Sequence, residues 1–487
     1  MICEEKNMVG NFAFPSLIKY FEELSAIPRA SYNEDGVAEY LCNFAKARGL
    51  EYYRDAANNV LINAPATKGR EGDAAILLQG HTDMVCEKNA GVEHDFSRDG
   101  LKLYVKDGWL RAEGTTLGAD NGIAVASMLC ILDGGVESHG PLQCLFTASE
   151  EVGLDGVKAF DYDKIYARRM INMDSADESL IIAGCAGGQR SSVSFESKVG
   201  KTFAPFVAQI NITGLFGGHS GEDIDKGRAN ANKLMGRVLY ELMKNSSLGL
   251  DIISVEGGTK DNAIPRECVA VVAVNDAESL KKGIAKLEAT LGEGLSEDDK
   301  DFAIGVSVIS ENTEVEALEA ELAKKIVFVM HTVANGVLDM NHNVKGIVEW
   351  SRNLGIVKCN ADVAELVFSS RSSFESRIDA AAAELDAYAE LLGASVRHYN
   401  RYPGWSYAEK SEIRDAYSKA YKQLFGKAPE ITVIHAGLEC GFISEAVQGM
   451  DIISCGPVIL NLHSPDEALN LASFERFFSV VKKVIEG

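Results

Sequence analysis

Two adjacent glutamates, Glu150 and Glu151, come directly after the apolar run Leu142–Phe146 in LFTASEEVGLDG. Side-by-side carboxylates repel, at a cost that a metal ion or a proton removes. One of the pair can bind metal while its neighbour, pointing differently, handles protons. The same pattern, an acidic or imidazole group at the end of an apolar run, recurs along the chain. LLQGHTDMV places His81 and Asp83 where a buried strand ends at Gly80, two residues apart and so on one side of an extended chain. Asp83 can then hold the second ring nitrogen of a histidine ligand, although alone the pair also fits a surface turn. TTLGADNGIAV sets Asp120 between a glycine-containing loop and a helix start, as a ligand or as a helix cap. MINMDSAD puts Asp174 at a strand end, and VILNLHSPDE puts His463 just before a helix. His81, Asp120, Glu151, Asp174 and His463 together make the nitrogen and oxygen set suited to paired zinc ions.

Such residues need elements that bring strand ends together. Leu17, Tyr20, Phe21 and Leu24 recur at helical spacing, as do Val37, Tyr40, Leu41 and Phe44. The short apolar runs Ala74–Leu78, Leu142–Phe146 and Met170–Met173 read as strands, and Asn121–Leu132 as a helix closed by Gly134–Gly135. Helices alternating with short buried strands predict an α/β layer sandwich. From about residue 200 the texture changes to an inserted α+β region running to about 398. It opens on the alternating strand FAPFVAQINITG, with helices at Asn232–Met243 and Ala277–Leu291 and strands at Cys268–Val274 and Ala303–Ser310. The acidic stretch Gly292–Asp301 reads as a solvated connection. The tail returns to the first texture, with a strand at Ile452–Ser454. A final helix is expected to start at Ser464 as cap, with Pro465 in its first position and Glu467 closing a capping box.

At 487 residues the chain exceeds the size of one hydrophobic core, so two domains are expected. Its formal net charge of -23 argues against nucleic acid or an anionic membrane as partner. MICEEKNMVGNF has no unbroken apolar core of the secretory kind, and no apolar stretch reaches the roughly 18 residues of a membrane span. The ten cysteines are scattered singly, which fits thiols in a reducing compartment. A soluble cytoplasmic protein is the expectation.

GHTDMV, GADNG, SEEVGLDG, NMDS and NLHSPDE follow one another as in the aminoacylase and carboxypeptidase-type co-catalytic dizinc peptidases. The chain resembles that family over essentially its whole length. GGHSGEDI, GGTKDNAIPRE and SSRSS bring it nearest to the aminoacyl-histidine dipeptidase branch. The resemblance implies a zinc-peptidase-like α/β/α catalytic domain (1–199 and 399–487) with an inserted α+β lid and dimerisation domain (200–398). It implies that Asp120 bridges two metals, with His81 and Asp174 completing one ligand set and Glu151 and His463 the other. Asp83 would orient His81, and Glu150 would activate a metal-bridging water as general base. A cis peptide would join Asp120 to Asn121, which stands where relatives often have aspartate. His219 in GGHSG, otherwise a plain turn histidine, would polarise the scissile carbonyl or stabilise the oxyanion, in its own subunit or across a dimer. Asn262 and Arg371 would hold the substrate's C-terminal carboxylate, a task that suits arginine's planar fork. Gly437 would lie in a substrate loop.

The activity implied is hydrolysis of unblocked dipeptides, Xaa-His among them, by a homodimer carrying two divalent ions. Zn2+ is expected, with Mn2+ or Co2+ as the alternatives such ligands accept. The rival readings are an N-acyl amino-acid amidohydrolase, a tripeptide aminopeptidase, and a non-catalytic binding protein on the same fold.

Overall fold

The short apolar runs of the first region become the inner strands of one sheet in the computed structural model, which describes residues 12–487. The opening segment considered as a leader lies, through Asn11, outside the described residues. The chain divides into two units. One comprises the residues up to Cys185, Trp405–Val433 and Leu438–Gly487, and the other Ala186–Gly404 and Ile434–Gly437.

The first unit is built on eight strands in the order Glu51–Arg54, Val60–Ala64, Leu142–Thr147, Ile76–His81, Arg169–Asn172, Asp451–Ser454, Leu180–Cys185, Glu430–Ile434. The four from Leu142–Thr147 to Asp451–Ser454 are mutually parallel. A parallel sheet is covered on both faces, which is why these strands read as continuous apolar runs. The core includes helices Pro15–Ser25, Asp35–Ala47, Ala119–Cys130 and Leu471–Glu486, whose apolar stripes are buried. A separate four-stranded sheet runs Ile459–Leu460, Ala468–Asn470, Trp109–Ala112, Leu103–Lys106.

The last helix does not start where its local pattern predicts. Ala468–Asn470 is a strand, and the helix begins at Leu471, capped by Asn470, whose side chain accepts from the Ser473 N–H at 2.9 Å. Glu467 is engaged elsewhere, as described below.

The second unit is an antiparallel nine-stranded sheet with helices Ala231–Met243, Ala277–Gly292, Ala320–Thr332 and Glu375–Leu392. It takes in Gly187–Phe195 and Ser395–Tyr402, beyond the 200–398 bounds expected from sequence, because these strands pair with each other and Gly187–Phe195 also pairs with Ala364–Ser372. The acidic stretch is more than a solvated connection. Asp299 is buried, and its carboxylate accepts the N–H groups of Phe216 and Ala229 at 2.9 and 2.7 Å. Every cysteine among the described residues is a free thiol. No helix among them is long and apolar enough to cross a membrane.

Candidate metal centre

Three adjacent parallel strands each deliver one part of the site. Ile76–His81 lies between Leu142–Thr147 and Arg169–Asn172, with His81 opposite Thr147 and Gln79 opposite Asn172. Parallel strands end at the same edge of a sheet, so His81, the Glu150–Glu151 turn and Asp174 emerge together. Asp120 occupies the start of the buried helix Ala119–Cys130, and its bond to Asn121 is cis. His463 arrives from 343 residues away, in the loop between Ile459–Leu460 and Ala468–Asn470. The second of those strands pairs with Trp109–Ala112, just upstream of Asp120. Pairing in a minor sheet thus carries the distant histidine to the aspartate.

Asp120 is the meeting point. Its Oδ1 lies 3.0 Å from His81 Nε2, and its Oδ2 lies 3.2 Å from His463 Nε2. Asp174 Oδ1 is 3.8 Å from His81 Nε2, and Glu151 Oε1 is 3.1 Å from His463 Nε2. Within each of the sets His81–Asp120–Asp174 and Asp120–Glu151–His463, the ligand atoms all lie within 4.8 Å of one another. His81, Glu150 and Glu151 form a third such set.

The charges of these side chains do not balance among themselves. Burial pushes the Glu150 carboxyl well above the usual range; His81 pulls it back in part, and the carboxylates of Asp174, Glu439 and Glu151 add to the rise. Burial and then Asp120 do the same to Asp174. Burial alone would lower the His81 imidazole, but hydrogen bonds with Asp120 and Asp83 carry it well above its ordinary value. Hydrogen bonds with Asp120 and Glu151 raise His463 to about 10. Protons are thus drawn to the His81 and His463 rings and to the Asp174 carboxyl, while, despite burial, hydrogen bonds from the two histidines hold the Asp120 carboxyl below its usual range. The cause is buried carboxylates crowding together without a compensating cation. Divalent ions in the two sets sharing Asp120 would meet that need, since the nitrogen and oxygen donors present are of a type such ions accept.

The supporting residues were mostly invisible to sequence reasoning. Asp83 does more than face His81, whose Nδ1 lies 3.2 Å from its carbonyl and 3.4 Å from its carboxylate. That carboxylate also accepts the N–H groups of Glu150 and Glu151 at 3.0 and 3.2 Å and the Ser31 hydroxyl at 2.7 Å. Glu34 holds the strained Ser149 (φ 50), accepting from its N–H and hydroxyl at 2.8 and 2.6 Å. Arg29, buried, donates to the carbonyls of Thr82, Asp83 and Gly118 at 2.9, 3.2 and 2.6 Å, tying the His81 loop to the Asp120 loop. Glu439 is fully buried and accepts from Gln79 and Thr147, and burial raises it to about 7.

Glu467 accepts the N–H groups of Leu117, Gly118 and Asp120 at 2.8, 2.8 and 3.2 Å. Four residues after His463, it fixes the backbone that carries Asp120. Glu467→Ala is therefore expected to weaken metal binding by about 10–100-fold, the usual cost of losing an outer-shell partner. Titration of metal into the chelated variant checks this, and wild-type affinity would exclude the role.

A second constellation lies within the other unit. His219 sits on the two-residue strand Gly218–His219, paired with Ala263–Ile264 directly after Asn262, whose carbonyl accepts the Ser220 N–H at 2.8 Å. The Glu222 N–H donates to His219 Nδ1 at 3.2 Å, so the neutral ring carries its proton on Nε2. Burial and then the Arg371 charge lower its pKa, favouring that neutral form. His219 and Arg371 converge on Gly221, where a methyl group would stand 3.2 Å from the imidazole and 3.3 Å from the guanidinium carbon. Gly437 packs against the Tyr402 ring.

The sequence pattern of peptidase family M20/M25/M40 matches residues 77–487. The cytosol non-specific dipeptidase of Escherichia coli (strain K12) is 36% identical over 475 residues, 96% of each chain. The crystal structure of aminoacylhistidine dipeptidase from Vibrio alginolyticus superposes with a TM-score of 0.92 at 33% identity, covering 99% of this chain and 98% of that one. The aminopeptidase PepT of Bacillus cereus shares the fold at 17% identity and a TM-score of 0.56, with 98% of each chain covered.

Proposed function

The chain belongs to peptidase family M20/M25/M40, and we propose that it is a dinuclear metallopeptidase hydrolysing unblocked dipeptides, aminoacyl-histidine among them. The observation that carries this reading is Asp120 reaching one histidine with each carboxylate oxygen, 3.0 Å to His81 and 3.2 Å to His463. His81, Asp120 and Asp174 would hold one ion, and Asp120, Glu151 and His463 the other. Bound there, two divalent ions supply Lewis acidity to the peptide carbonyl and acidify the attacking water. Glu150 takes the proton of that water and returns it to the departing amine. Asp83 keeps the Glu150–Glu151 turn and the His81 ring in register through the contacts described above. His219 donates from Nε2 to the oxygen that gains charge at the attacked carbon. Arg371 and Asn262 hold the substrate's C-terminal carboxylate, a charge-assisted contact.

Zinc in both positions suits the mixed donor set. A cytoplasmic location follows the name of the Escherichia coli relative, and the family resemblance alone supports a homodimer. The rival activities, deacylation and tripeptide cleavage, differ in the substrate's termini. Assay of free dipeptides, their N-acetyl derivatives and tripeptides with defined metals is expected to give turnover on the free dipeptides and little on the others. Equal rates on tripeptides or acetylated peptides would overturn the dipeptidase reading.

A further inference from the structure

Arg371, Gly188 and Tyr402 stand in one row across three antiparallel strands. Arg371 on Ala364–Ser372 is directly opposite Gly188 on Gly187–Phe195, and Gly188 is directly opposite Tyr402 on Ser395–Tyr402. Directly paired residues point to the same face of a sheet. The central strand offers only a hydrogen there, so the outer two side chains can meet across it. They do: Arg371 Nη1 donates to the Tyr402 hydroxyl at 2.9 Å. A methyl group at Gly188 would stand 2.5 Å from that hydroxyl oxygen. Gly437 opens the space on another side, since a methyl group there would stand 2.8 Å from Tyr402 Cε2. Two glycines thus make room for one tyrosine ring.

The anchorage fixes one end of a buried guanidinium. Arg371 is 4% exposed, and its Nε has no partner among the described residues. Among the described residues no carboxylate pairs with it, its side-chain hydrogen bond going to the Tyr402 hydroxyl, while burial and then Arg371 itself lower both His219 and His435 beside it, His435 to about 3. The charge is therefore kept for a ligand anion, and its fork is aimed by a neutral hydroxyl that does not cancel it.

The geometry points to Tyr402 as a positioning residue that aims Arg371 at the substrate's C-terminal carboxylate, with Gly188 and Gly437 conserving the space for its ring. This rests on the reading of Arg371 given above. It also gives Gly437 a role through Tyr402 instead of through the substrate. The consequence is specificity: Tyr402 governs discrimination between a free carboxylate and a neutral carboxamide at the dipeptide's C-terminus.

The test compares a dipeptide with its C-terminal amide on the full-length, metal-loaded enzyme and on Tyr402→Phe, Gly437→Ala and Arg371→Met, with melting temperature as a folding control. Arg371→Met is expected to abolish the preference for the free acid. Tyr402→Phe should raise KM for the acid about tenfold, as for one lost hydrogen bond to a charged group, with kcat and the amide's kinetics within about twofold of wild type. Gly437→Ala should shift the acid in the same direction. If Arg371→Met loses the preference while Tyr402→Phe keeps it, the positioning role is overturned and the carboxylate reading stands. If Tyr402→Phe lowers kcat equally on both substrates, the residue is structural and the proposal fails. If Arg371→Met keeps the preference, the carboxylate reading falls and takes the Tyr402 role with it.

Discussion

Glu150→Gln is expected to retain both metal ions while dipeptide turnover falls about 10²–10⁴-fold, the usual contribution of a general acid–base group. The amide preserves the size of the side chain but cannot accept the water proton. Each set that shares Asp120 is complete without Glu150, so metal content should survive its replacement. The third set, His81 with Glu150 and Glu151, makes the competing case, in which Glu150 is itself a ligand. Metal analysis beside kcat separates the two. Loss of metal together with activity would make Glu150 a ligand, and wild-type turnover in the metal-loaded variant would remove it from the chemistry. The carboxyl's burial and its Asp174, Glu439 and Glu151 neighbours raise its proton affinity, which favours uptake of a proton from water.

Asp120→Ala is expected to have the larger effect, removing both ions and all measurable turnover. Asp120 alone among the candidate ligands has a carboxylate oxygen facing each histidine. Its loss leaves His81 with Asp174 on one side and His463 with Glu151 on the other, two ligands apiece, short of the three protein ligands of ordinary catalytic zinc sites. Substituting Asp174 or Glu151 should instead weaken one position and spare much of the other. The chain around Asp120 explains why it is so well placed. Glu467 holds the Asp120 N–H, Arg29 holds the Gly118 carbonyl, and both side chains are 2% exposed, so neither is free to move with solvent.

The candidate ligands were legible in sequence where a buried strand ends in a polar group. His81, Glu150–Glu151 and Asp174 each follow such a run, and period and length alone located the strands. His463 also follows an apolar run, in VILNLHSPDE, but its place beside Asp120 depends on the pairing of Ala468–Asn470 with Trp109–Ala112, a contact between distant segments that no local pattern shows. Glu467 shows how a local rule misleads. Ser464, Pro465 and Glu467 fit a capping box, yet the carboxylate is taken by three N–H groups about 350 residues earlier, and the helix begins later with Asn470 as cap. Arg29, Glu34 and Glu439 carry no periodic or motif signal at all. Each becomes meaningful only when folding buries its charge beside segments that bear the candidate ligands. In the second unit, Tyr402 was equally silent, because its role depends on glycines in two other segments.

The central claim is that five side chains hold two metal ions through one shared aspartate. The most direct measurement is metal bound per chain in chelated and reloaded wild type, followed alongside dipeptide hydrolysis and set against Asp120→Ala. Two ions per wild-type chain, activity that tracks their return, and loss of both in the variant are the predicted results. A single ion at full activity, or an Asp120→Ala chain that still binds two, would contradict the account.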